Sequence, residues 1–167
     1  MAWKYALASA VISTARTVSY IPPRPPTKAF IGACPNSLDM QSLPIEPSWV
    51  ISGNPVARAA SHSKAEDDCA ATGVWDCTAG EFRWFFGWDE TVVILEGEVH
   101  VTAEDGTERV LRAGDVGYFK GGTWATWRIE TYVKKIAFLR KPFPAPLAWL
   151  YRLRAMLRPQ QSVGLAG

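Results

Sequence analysis

From Val50 onward, short runs of alternating apolar and polar residues are interrupted at regular intervals by turn residues. The alternation predicts nine strands: Ala57–His62, Thr72–Thr78, Phe82–Phe86, Thr91–Leu95, Glu98–Ala103, Glu108–Arg112, Val116–Phe119, Ala125–Glu130 and Tyr132–Leu139. The breakers between them are Ala79-Gly80, Gly87, Glu96-Gly97, Asp105-Gly106, Ala113-Gly114 and Gly121-Gly122. A period of two bounded by such residues is the pattern of half-buried strands. Asp105-Gly106, flanked by Val99, Val101 and Val110, is a hairpin signal. Many short strands without helical periodicity predict an all-β, antiparallel sandwich or barrel.

The pattern changes at both ends. Beyond Pro142-Phe-Pro-Ala-Pro146, Leu147, Leu150, Leu153 and Leu157 recur at steps of three and four, which predicts an amphipathic helix over 146–158. Its leucine stripe needs a partner. The outside of its own barrel is the first expectation, and a second subunit, making a homodimer, is the next. A membrane surface is the third, because Trp149 and Tyr151 beside Arg152, Arg154 and Arg158 also suit an interfacial helix. Residues 1–43 read as a poorly ordered arm. Its first acidic residue is Asp39, and Pro22-Pro-Arg-Pro-Pro26 cannot join a central sheet.

Composition narrows the function classes. The net charge is +2, with Lys and Arg interleaved among Asp and Glu, so no basic stripe points to nucleic acid. No run of about 18 apolar residues is present to cross a bilayer. The three cysteines, Cys34, Cys69 and Cys77, form no Cys-x-x-Cys pair. Free thiols in a reducing, cytoplasmic setting are expected, and a Cys69–Cys77 bridge is the alternative. Lys4 followed by Tyr5–Ala15 gives a second localisation, through a weak signal-like or transit-like segment.

Three signatures follow one another in the body: Gly73-Val-Trp-Asp-Cys-Thr-Ala-Gly80, then Phe82-Arg-Trp-Phe-Phe-Gly-Trp-Asp-Glu-Thr91, then Gly114-Asp115 through Trp124-Ala-Thr-Trp127. Together they resemble the motifs of the cupin superfamily, more closely the small cupins of the ureidoglycine aminohydrolase and ethanolamine-utilisation type. The resemblance implies a double-stranded β-helix, or jelly-roll barrel, over 44–142 with a pocket inside one end. Such cupins usually hold a metal with two His, a Glu and a later His. Here only the Glu has a counterpart, Glu90. The paired His positions fall on Arg83 and Phe85, or on Trp84 and Phe86, and the later one on Ala125. A first-row divalent ion needs three or four strong ligands, so neither a metal nor another cofactor is expected.

Strand alternation then proposes the pocket wall. Glu90 facing inward brings Val92 and Ile94 with it. Arg83, Phe85, Trp75, Ala125 and Trp127 are further candidates. A buried carboxylate calls for a cation, with Lys135 first, Arg83 second and Lys134 an alternative on the last strand. Two readings of this cluster stand side by side: a structural ion pair, or a polar anchor for a small anionic or amide-bearing ligand against an aromatic wall. The first points to a structural or regulatory dimer. The second points to a small-molecule-binding protein, or to a hydrolase, isomerase or lyase of nitrogen-metabolite or related chemistry. Asp115 reads as a turn residue, and His62 and His100 as outward-facing.

Overall fold

The computed structural model describes residues 28–157. The signal-like segment and the Pro22–Pro26 run lie outside the described residues. The elements are β1 (Gln41–Ser42), β2 (Val50–Gly53), β3 (Ala57–Lys64), β4 (Ala70–Phe86), β5 (Asp89–Ala103), β6 (Glu108–Arg112), β7 (Val116–Phe119), β8 (Thr123–Arg140) and the helix α1 (Ala145–Leu157). The sheet runs β1-β3-β4-β8-β5-β6, with β2 added to β4 and β7 to β5. Every pairing is antiparallel. The sheet curls on itself into a jelly-roll barrel, as the alternation and the motif order predict.

Each of the three long strands, β4, β5 and β8, joins two segments that alternation had separated. The breakers inside them are bulges, not strand ends. Register shifts occur at Thr78/Gly80 between β4 and β8, and at Ile94/Glu96 and Gly97/His100 between β5 and β8. A bulge bends a strand without ending its pairing, so one strand can line two walls. Gly97 shows why glycine stands at such a corner. Its φ is 73°, and a Cβ there would run into the Tyr132 carbonyl. At Asp105-Gly106 the expected hairpin forms, with Asp105 accepting from the Thr107 N–H at 2.9 Å.

The core fills the barrel with Trp75, Cys77, Phe82, Phe86, Val92, Ile94, Val99, Val101, Trp127, Ile129 and Val133. Phe86 and Phe119 stack face to face at 4.3 Å. Residues 28–43 are the described end of the arm, and it touches the sheet at Asn36 and Gln41–Ser42. Gln41-Ser42 pairs with β3, and Asn36 accepts a hydrogen bond from Lys134 at 2.7 Å. The cysteines are free as expected, and the alternative Cys69–Cys77 bridge does not form, because Cys77 is sealed inside the barrel while Cys69 sits near its surface. One further expectation is corrected. The helix does not lay its leucines on the barrel: Leu147, Leu150 and Leu153 remain exposed. Its contact with the preceding linker is a Tyr151–Phe143 ring stack at 5.2 Å. No helix among the described residues is long and apolar enough to cross a membrane.

Candidate functional site

The site begins where β5 begins. Asp89 accepts from the Gly121 N–H at 2.9 Å and pairs with Arg140 at 3.3 Å, which fixes the entry of the strand. The next residue, Glu90, then faces inward at 7% exposure. On β8, Lys135 also faces inward, and its Nζ donates to Glu90 Oε1 at 2.6 Å. The ammonium lies 5.0 Å from the Trp75 ring centroid and 4.5 Å from that of Trp127. Two aromatic faces and a carboxylate therefore replace the water that the buried cation has lost.

Beside this pair is a cavity of about 310 Å³. Its wall includes Trp75, Trp84, Leu43, Ala59, Ala137 and Leu139, with Glu90 and Lys135 as its charged members. The wall is otherwise mostly apolar or small. Two buried indole N–H groups, Trp75 Nε1 and Trp127 Nε1, have no acceptor among the described residues. The Trp75 ring lines the cavity while its N–H is buried, and the polar lining is the Glu90–Lys135 pair together with Ser61 and Thr72.

The structure brings together Glu90, Lys135, Trp75 and Trp127, and places Ala125 in the core beside them. It does not bring in Arg83 and Phe85. Both are exposed on the opposite face of β4, where Arg83 lies 4.7 Å from the Trp124 centroid and Phe85 packs on the same ring at 5.1 Å. The inward residues are instead Phe82, Trp84 and Phe86. The cause is the bulge at Thr78/Gly80, which inverts strand parity: Trp75 and Cys77 face in before it, and Phe82, Trp84 and Phe86 after it. Lys134 likewise faces away from the cavity, toward Asn36. Alternation alone also missed Leu43, Ala59, Ala137 and Leu139.

The donor set does not suit the metal that the cupin motifs usually carry. Trp84 and Phe86 occupy the paired His positions and Ala125 the later one, leaving Glu90, already bonded to Lys135. Among the described residues no three His, Cys, Asp or Glu side chains converge. His62 bonds to Ser63 and His100 to Arg128. Asp115 closes its turn by accepting from the Arg112 N–H at 2.8 Å. Burial, then the nearby Asp76 carboxylate, pushes the Cys77 thiol up to about 12. At neutral pH it is therefore a protonated core residue rather than a nucleophile.

Comparison with known proteins fits this geometry. Residues 64–137 match the EutQ-like cupin domain model. A protein of unknown function from Pseudomonas syringae pv. tomato is 25% identical with a TM-score of 0.57, over 62% of this chain and 45% of that one. This chain thus aligns with less than half the length of that protein. The cupin domain of Cnp3 from Schizosaccharomyces pombe is 16% identical with a TM-score of 0.52, over 74% of this chain and 80% of that one. A predicted oxalate decarboxylase from Thermotoga maritima is 15% identical with a TM-score of 0.54, over 67% of this chain and all of its own 100%. At such identities these last two speak for the fold alone. No curated protein matches the chain. The motif order, the curled sheet and the family match over β4, β5 and most of β8 agree: residues 64–137 form a small EutQ-like cupin domain within the barrel.

Proposed function

We propose that this cupin binds a compact, uncharged ligand bearing an amide or similar carbonyl group in the barrel mouth, without a divalent metal. One observation carries the reading. The cavity offers a neutral ion pair, Glu90–Lys135, set against the Trp75 and Trp84 rings. A ligand carbonyl can accept from the remaining Lys135 protons, while a ligand N–H donates to Glu90. Such a ligand adds no net charge to a low-dielectric site, whereas a free carboxylate would have to compete with Glu90 for the cation. The rings of Trp75 and Trp84 supply the apolar wall that small-molecule pockets generally have.

The test is a thermal-shift screen of small amides, ureas and lactams against their matched carboxylates, followed by titration of hits. Uncharged amides are expected to raise the melting temperature. Trp84→Leu removes part of the aromatic wall and should weaken binding about fivefold. Adding manganese, iron, nickel or zinc should leave both melting and binding unchanged. If no amide shifts the melting temperature at millimolar concentration, or if binding requires one of these metals, the reading is wrong. Glu90–Lys135 would then be a structural pair.

A further inference from the structure

The helix α1 leaves the barrel with its apolar residues uncovered. Trp149, Leu150, Leu153 and Met156 are 60%, 52%, 41% and 80% exposed. At about 100° per residue, these four fall on one arc of roughly 120° around the helix axis. Arg152 lies roughly 40° beyond one edge of that arc, next to Met156, and Arg154 roughly 40° beyond the other, next to Leu150. Tyr151 points elsewhere, toward Phe143 of the linker. Leu147, also exposed, falls just beyond Arg154, and an apolar strip with arginines at its edges is the cross-section of a helix lying in a membrane interface. The strip enters the acyl boundary, and the guanidinium groups reach up to the lipid headgroups.

Charge distribution chooses this occupant over a second copy of the helix. No Asp or Glu follows Glu130 in the sequence, and the helix carries Arg152 and Arg154 with no acidic residue of its own. Two such helices packed together would set arginines against arginines with no acidic partner on either. An anionic headgroup layer supplies the missing charge along the whole strip. Trp149 adds an indole, whose apolar ring and polar N–H favour the headgroup level.

We propose that α1 docks the protein on an anionic membrane surface, with Trp149, Leu150, Leu153 and Met156 inserted and Arg152 and Arg154 on the headgroups. The full chain should float with vesicles of phosphatidylglycerol mixed with phosphatidylcholine, and not with phosphatidylcholine alone. Raising the salt concentration should release it. Leu150→Asp combined with Leu153→Asp should abolish flotation and leave the melting temperature unchanged, because neither side chain is buried. Each of Arg152→Gln and Arg154→Gln should weaken vesicle affinity about fivefold, the factor for one basic residue near such a surface. Three results would overturn the proposal: no flotation of the wild-type chain, flotation that survives the double substitution, or a fall in solution mass of the double variant showing that the strip joins two subunits. A drop in its melting temperature would also count against it, since the strip would then belong to the folded barrel.

Discussion

Trp75 and Asp76 are neighbours on β4, and Lys135 and Lys134 are their partners on β8. Yet one pair of positions faces the barrel interior and the other faces out. Inside, Lys135 and Glu90 meet at 2.6 Å beside a cavity, with the Trp75 N–H unanswered. Outside, Asp76 receives Arg58 through two bonds of 3.0 and 2.6 Å and the Tyr132 hydroxyl at 3.0 Å, while Lys134 is held by Asn36. The outer cluster is closed, with the arm supplying one of its bonds. The inner one borders a cavity onto which Lys135, bonded to Glu90, still presents spare protons. Polar groups that use their hydrogen-bonding capacity on each other hold a fold, and those that keep some in reserve can hold a ligand.

The largest effect should come from breaking the inner pair. Glu90→Gln or Lys135→Met alone leaves a buried charge without its counter-ion and should destabilise the barrel by about 3 to 5 kcal/mol in urea unfolding. Glu90→Leu combined with Lys135→Met should recover most of that loss while abolishing ligand binding. Such a recovery would separate the role in binding from the role in folding. In the outer cluster, Asp76→Asn should cost about 2 to 3 kcal/mol, less than the inner single variants, because half-exposed Arg58 can return to water. If the outer substitution proves the more damaging, the outer cluster and not the inner pair is the stronger support of the fold.

A smaller loss of about 1 to 2 kcal/mol is expected for Asn36→Ala, which releases Lys134. It would measure how firmly the arm is tied down. The pH response should be gentler still. Burial, followed by the hydrogen bond to Asp76, pushes Tyr132 up to about 12, and burial raises Cys77 to about 12. Both groups stay protonated in the folded state after the unfolded chain has begun to lose its protons. Their contribution is therefore complete below about pH 9 and declines between about 9 and 12. Stability in urea measured from pH 7 to 11 should be level at first and then fall, and a rise above pH 9 would contradict the assignment.

Much of this was legible in the strand pattern, for a physical reason. Within an unbroken segment, side chains alternate strictly, so placing Glu90 inward also placed Val92 and Ile94 correctly, and Trp127 and Lys135 fell on one face. Across a bulge the same rule fails. Gly80 was visible as a breaker, but whether a breaker ends a strand or bends it depends on pairing with a distant strand, and that choice moved Arg83 and Phe85 to the wrong face. The cavity wall was harder to read. Leu43 comes from a loop, and Ala59 and Ala137 line space by being small. The Asp76 cluster carried one overlooked signal, an acidic residue between the large apolar Trp75 and Cys77.

The position of β8 in the sheet has a kinetic consequence. It is the final strand among the described residues, yet it lies between β4 and β5 and pairs with both along nearly its whole length. Ala70 meets Arg140, and so does Asp89. As the chain leaves the ribosome, these two long strands present bare backbone edges until the last segment emerges to join them. Pairings of such sequence separation close slowly, on the order of milliseconds to seconds, and unpaired edges are where chains stick to one another. Truncation anywhere within 123–140 should therefore produce insoluble chains rather than a smaller domain.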